Sequence, residues 1–198
     1  NHKRVIFEGD GYSKTREKEI KTPGLSNKTN TVDAITVLKE EKPTQMLTTL
    51  GVFSESEINS RYEILLDSYS KTIQVEACTA LKIAKNQIFP ACLSYLNKIT
   101  QTANNLAVIN ANFDFIKEDV LELSNLLTVM KKRIKDLELA IENVKAKKAD
   151  NLEKAKLWKD KVLSLMNDLR EVVDTLETKV DEKDWPMPTY IDLLFGIK

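Results

Sequence analysis

Between Gly51 and Gly196 the chain has no glycine, and Pro90 is the single proline before Pro186. Tight turns, reversals and strand ends draw on these two residues, because glycine reaches positive φ without strain and proline fixes φ. A run this long, built instead from Leu, Ile, Ala, Glu and Lys, predicts long helices. The same absence argues against chemistry that needs a glycine loop around phosphate or a sharp turn presenting a nucleophile. The expected fold is all-α: a long-helix antiparallel bundle or helical hairpin with coiled-coil-like packing, preceded by an irregular N-terminal arm.

The 198 residues suffice for one large domain or two small ones, with a real core. Thirty basic residues balance thirty acidic ones, so no global field draws the chain to nucleic acid or an anionic membrane. No apolar run approaches the ~20 residues of a membrane span, and no signal-peptide core is present at the N-terminus. The chain opens with Asn1 rather than Met, as a processed chain or a piece of something larger would. Cys78 and Cys92 lie in helical pattern, about 20 Å apart along one helix at ~1.5 Å per residue, beyond disulfide reach. Buried free thiols in a reducing cytoplasm are expected.

Three regions follow from the pattern. Residues 1–51 read as a loosely organised arm: the apolar run Val5-Ile6-Phe7, a turn at Gly9-Asp10-Gly11, a polar stretch through Pro23-Gly24, and one helix over Val32–Leu38 capped by Thr31. Pro43 and Gly51 close it off. Residues 52–184 read as a helical bundle with helices over about 55–89, 91–110, 114–147 and 151–182. Ser54 with Glu57 three residues on forms a capping box behind Phe53. From there Ile58, Tyr62, Leu65, Tyr69, Ile73, Ala77, Ala80, Ala84 and Ile88 recur at helical spacing. Pro90 disfavours α geometry at Phe89 and predicts a kink or break. Beyond it, Leu93, Leu96, Ile99, Ala103 and Leu106 carry the apolar pattern on.

Ile116, Val120, Leu123, Leu127, Met130, Ile134, Leu137, Ile141 and Val144 then alternate steps of four and three, the seam of helices crossing at about 20°. The phase continues to Ala155, Trp158, Val162, Leu165, Leu169, Val172 and Leu176. One continuous rod would place Lys148 and Asn151 in a core, which is costly. A hairpin around Lys147–Asn151, with Asp150 as cap, avoids that cost and is the expected solution. Residues 185–198, opening on Trp185-Pro186-Met187-Pro188, cannot continue the helix near Glu182 and read as a docking tail with a final apolar turn, Tyr190–Phe195.

Familiar site chemistry is missing from the sequence. His2 is the only histidine, so no zinc set assembles within the chain. There is no Walker A sequence, dinucleotide fingerprint, nucleophile elbow or calcium loop. Arg61 has a plain reading as a structural ion pair and a sharper one as an anion or interface contact. The basic clusters Lys131-Lys132-Arg133 with Lys135, and Lys145, Lys147 and Lys148, read as a solvated helix face and an exposed hairpin tip. No catalytic, cofactor-binding or metal residue is assigned.

The stretch GVFSESEINSRYEILLDSYSKTIQVEA, Gly51–Ala77, resembles the C-terminal region of type III glutamine synthetases. HKRVIFEGDGYS, His2–Ser13, is similar to the segment that follows that family's catalytic core, and DEKDWPMPTYIDLLF, Asp181–Phe195, to its terminal run. The chain departs from the family over Lys14–Leu25. The resemblance implies a cytoplasmic parent enzyme that makes glutamine from glutamate and ammonia with ATP and Mg²⁺ or Mn²⁺, through γ-glutamyl phosphate. In the family the metal, nucleotide and glutamate residues lie upstream, so the resemblance implies no cofactor or catalytic residue here. The implied partners are the parent's catalytic domains and neighbouring subunits of a homo-oligomer, with no nucleic acid or membrane. The competing reading is a stand-alone helical coiled-coil interaction module. The third, a piece that is itself an enzyme, predicts turnover of ATP, glutamate and ammonium by this chain alone.

Overall fold

The structure, a computed structural model, describes residues 27–188 and 190–196. The expected features at His2, Val5–Phe7, Gly9–Gly11 and Pro23-Gly24 lie outside the described residues. Those described are all-α, without a strand, and form two compact units that meet in sequence between Tyr69 and Ser70.

In the first unit, α1 spans Thr31–Thr36 and buries Val32 and Ile35. Its cap is Asn30, not the expected Thr31: Asn30 Oδ1 accepts the Asp33 amide at 2.9 Å. Asparagine is the stronger cap, and its use moves the helix start by one residue. A 3₁₀ turn, Val37–Lys39, leads to α2, Glu41–Thr49. The sequence reading has Pro43 closing the segment, but Pro43 sits inside the first turn of α2. There its missing amide hydrogen would have had no intrahelical acceptor. α2 ends in a Schellman turn with Gly51 at φ 66°. The Val52 amide donates to the Leu47 carbonyl at 3.0 Å and the Gly51 amide to that of Thr48 at 3.1 Å.

The capping box forms as read. The Glu57 carboxylate accepts both the Ser54 amide and the Ser54 hydroxyl at 2.8 Å, and the Glu57 amide donates to Ser54 Oγ at 3.3 Å. It opens α3, Glu55–Ile83. Ile58, Tyr62 and Leu66 are buried in the first unit, while the expected Leu65 is 44% exposed. Both positions are leucine, so apolar pattern alone cannot choose between steps of three and four; the packing selects Leu66. Likewise Ser70 is buried while Tyr69 is half-buried.

In the second unit the long helix continues through a π turn, Ala84–Ile88, into α4, Phe89–Val108. Pro90 therefore breaks nothing, and Phe89 keeps α geometry at φ −57°, ψ −47°. A π turn widens the spiral by one residue just before the proline, giving its ring room and removing the demand for its amide hydrogen. Cys92 is buried on α4, while the expected Leu93 is 50% exposed.

α5, Asp114–Ala146, returns antiparallel to this helix. Lys145 Nζ reaches Cys78 Sγ at 3.3 Å and Lys85 pairs with Glu138 at 2.6 Å, numbers falling on one helix as they rise on the other. The hairpin forms where expected: Asp150 Oδ1 accepts the Glu153 amide at 2.7 Å, and Lys148 stays exposed. Asp150 caps α6, Asn151–Leu157, which passes through a second π turn, Trp158–Leu163, into α7, Ser164–Glu177. Leu123, Leu127, Met130, Ile134, Leu137, Ile141 and Val144 are buried on α5, and Ala155, Trp158, Val162, Leu169 and Leu176 on the return arm. Expected seam members Ile116, Val120, Leu165 and Val172 are only half-buried. Each fully buried Leu or Ile contributes ~1.5–3 kcal/mol gross, most of it offset by ordering the chain. The seams therefore hold together as a set. α7 stops at Glu177, short of Glu182, because the last turn tightens: the Thr178 hydroxyl donates to the Thr175 carbonyl at 2.8 Å and the Lys179 amide to that of Leu176 at 3.0 Å. The final helix, α8, is Tyr190–Phe195.

Candidate functional site

Among the described residues, no single cleft gathers reactive side chains, and no group of three His, Cys, Asp or Glu could hold a metal ion. Both cysteines are free thiols. Cys92 is buried, and desolvation pushes its thiol up to about 11. Cys78 is half-buried rather than buried as expected, and accepts from the Lys145 ammonium. No helix among the described residues is long and apolar enough to cross a membrane.

Arg61 resolves into a local role. Its guanidinium lies over the Phe53 ring, 4.3 Å from the centroid. Its charge also adds to the hydrogen bonds from the Ser54 backbone and hydroxyl that hold the Glu57 carboxyl below its usual value. Ser60, Ile64 and Leu65 join Glu57 and Arg61 around a shallow open cleft of about 400 Å³. Ile64, 63% exposed, belongs to no core in the first unit.

The two basic clusters separate in the fold. On α5, Lys131 lies over Phe89 at 5.9 Å and Arg133 pairs with Asp168 at 3.1 Å. At the hairpin tip, Lys147 pairs with Glu153 at 2.6 Å. Lys147 and Lys161 flank an apolar groove of about 310 Å³ floored by Val144, Leu157 and Leu165. From the sequence this tip is expected to be exposed, with solvated lysines. Its apolar floor depends on two helices meeting and has no signal in either alone.

The opposite end of the bundle is acidic, a feature not expected from the sequence. A cleft of about 260 Å³ there is lined by Tyr95, Asp119, Glu122, Thr178 and Lys179. Lys179 pairs with Glu122 at 2.8 Å, and Lys98 with Asp184 at 3.0 Å. Both lysines are held above the usual ammonium range: Lys98 by Asp184 first and then Asp181, Lys179 by Glu122 first and then Asp119. On the connection between α4 and α5 and its flanks, Val108 and Phe115 stand 80% and 68% exposed. The C-terminal α8 likewise exposes Leu193, Leu194 and Phe195. Exposed apolar side chains beside paired charges have the chemistry of contact surfaces, and among the described residues these surfaces bring together no nucleophile with a base.

A family model described as glutamine synthetase C-terminal domain matches residues 1–107. The chain is 31% identical over 206 aligned positions to a protein of Dictyostelium discoideum named type-3 glutamine synthetase, covering 98% of this chain and 27% of that protein. Two proteins named glutamine synthetase, from Bacteroides fragilis (strain YCH46) and Butyrivibrio fibrisolvens, are each 28% identical and cover 96% and 100% of this chain. The chain spans only 27–28% of the length of these curated relatives.

Proposed function

From the premise that this chain belongs to the glutamine synthetase C-terminal domain family, we propose that it serves as the helical scaffold of a cytoplasmic type-3 glutamine synthetase. It buttresses the catalytic body and takes part in subunit contacts. In this reading the whole enzyme joins ammonia to glutamate at the expense of ATP, with Mg²⁺ or Mn²⁺, and the groups that do so lie outside these residues. The described residues do not fit those cofactors. They contain no set of three ligands for a divalent cation, and their two glycines, Gly51 and Gly196, end helices rather than cradle phosphate. No step of the reaction is assigned to them.

The observation that carries the proposal is the match of nearly the whole chain to about a quarter of each relative. The seams favour it over a free-standing coiled-coil module. Leu127, Ile134 and Leu169 are buried against partners within one chain, so the stripe such a module would offer is already in use. The test has two arms. With ATP, glutamate and ammonium, this chain alone gives no γ-glutamyl product, and measurable turnover would overturn the placement of the active site. Deleting this region from the longer enzyme lowers its thermal stability and its assembled mass; a deletion that leaves both unchanged refutes the buttress.

A further inference from the structure

Charge in the second unit is segregated although the chain as a whole is neutral. Residues 145–161, the hairpin tip, hold seven lysines against three carboxylates. Lys148, Lys156 and Lys161 are exposed there and make no ion pair among the described residues. Residues 114–122, at the far end of α5, hold four carboxylates against Lys117, and residues 181–184 add three against Lys183. The 33 residues of α5 separate these ends by about 50 Å at ~1.5 Å per residue. That is several screening lengths of ~8 Å in physiological salt, so the two patches do not neutralise one another.

Shape follows the same division. The basic tip has a groove with an apolar floor between Lys147 and Lys161. The acidic end has protruding apolar side chains, Ile109 at 71% exposure and Phe115 at 68%, beside the carboxylates of Glu118 and Asp119. A basic rim around an apolar recess matches an acidic rim around an apolar projection. Both lie on one chain but point to different ends, so the match is satisfied between molecules rather than within one.

We propose that two copies of this chain associate head to tail, the Ile109–Phe115 end of one seating in the hairpin-tip groove of the next. Such a contact is heterologous: it uses a different patch on each partner and leaves one of each free to continue. Insertion of Phe115 supplies the apolar contact, while the exposed rim charges steer the encounter and make it salt-dependent. A nucleic acid fits the tip less well, because its lysines are interspersed with Asp150, Glu153 and Asp160 and its recess offers no exposed ring for a base to stack on. The proposal goes beyond the scaffold reading and does not depend on it, since it uses only residues of the second unit.

Sedimentation velocity on the 198-residue chain, across a concentration series at about 0.05 M and about 0.5 M salt, tests it. In low salt the weight-average mass rises above the 22.6 kDa monomer with concentration, and in high salt it falls back. Reversing the tip (Lys148→Glu, Lys156→Glu, Lys161→Glu) removes the rise, as does reversing the other end (Glu118→Lys, Asp119→Lys). Mixing the two reversed proteins restores it. Phe115→Ser, which alters no charge, gives the same loss and serves where circular dichroism shows that a reversed protein has lost helix. Monomer mass throughout the low-salt series overturns the proposal, as does association that survives both reversals, or a mixture of well-folded reversed proteins that stays monomeric.

Discussion

Asn110 holds φ at 56°, in the left-handed region where a Cβ crowds the following carbonyl and where glycine is usually found. It closes α4 in a Schellman turn: the Ala111 amide donates to the Leu106 carbonyl at 2.9 Å and the Asn110 amide to that of Ala107 at 3.1 Å. The long gap between glycines therefore does not mean a gap between turns; asparagine, the next most tolerant residue, makes this one. Asn110→Gly is expected to keep or raise stability, whereas Asn110→Val should lower it by about 1–2 kcal/mol. Urea denaturation distinguishes them, and a Val variant as stable as the parent would contradict the strained turn. A second residue-scale expectation concerns Cys92, whose thiol is pushed from 9.0 up to about 11 by burial. A raised folded value means that the folded state holds the proton more tightly. The stability this contributes is complete below pH 9 and drains away as pH climbs from about 9 towards 11. Cys92→Ala should flatten that part of a stability–pH curve. In the folded protein at mildly alkaline pH, alkylation should mark Cys78 and spare Cys92.

At the scale of elements, the sequence was legible wherever one residue type has one local use. Asp150 before a fresh helical run announced the hairpin, and Ser54 with Glu57 announced the start of α3. It was illegible where the decision belonged to a partner helix, as in the choice between Leu65 and Leu66. It also misled where a disruptive residue had a permitted niche: Pro43 in a first turn, and Pro90 behind a π turn. The same limit applies to the candidate surfaces. The lysines of the tip could be counted in advance, but the groove between them exists only once Val144 and Leu165 face each other across two helices. The Pro90 niche makes a sharp prediction. A π turn carries one extra residue, so deleting exposed Gln87 should restore α spacing with both flanks in phase. With Pro90 in place the restored turn would press the ring on the carbonyl four residues earlier, at a cost of roughly 3 kcal/mol. The deletion should therefore be that much more harmful in the parent than in the Pro90→Ala background. Equal effects in a double-mutant cycle would mean that the π turn does not serve the proline.

At the scale of the whole molecule, the described stretches that resemble the family are explained only in part by the chain's own packing. In Ser60–Leu66, Tyr62 and Leu66 are buried but Ile64 and Leu65 are exposed; in the terminal run, Leu193, Leu194 and Phe195 are each 67–69% exposed. Large apolar side chains left in water contribute nothing to the fold that displays them, and contiguous ones mark contact surfaces. If this chain is one quarter of a larger enzyme, the missing three quarters supply what covers them. Ile64→Asp and Phe195→Asp should then leave the melting of the 198-residue chain almost unchanged, within about 0.5 kcal/mol, as surface substitutions do. In the full-length enzyme the same changes would place a carboxylate in an apolar contact, where an unpaired charge is costly, and should lower its melting temperature and its assembled fraction. Hydrogen exchange gives an independent reading: the α8 amides should exchange quickly in the short chain and slowly in the long one. Equal exchange in both, with substitutions harmless in both, would mean that these surfaces face solvent in the complete protein as well.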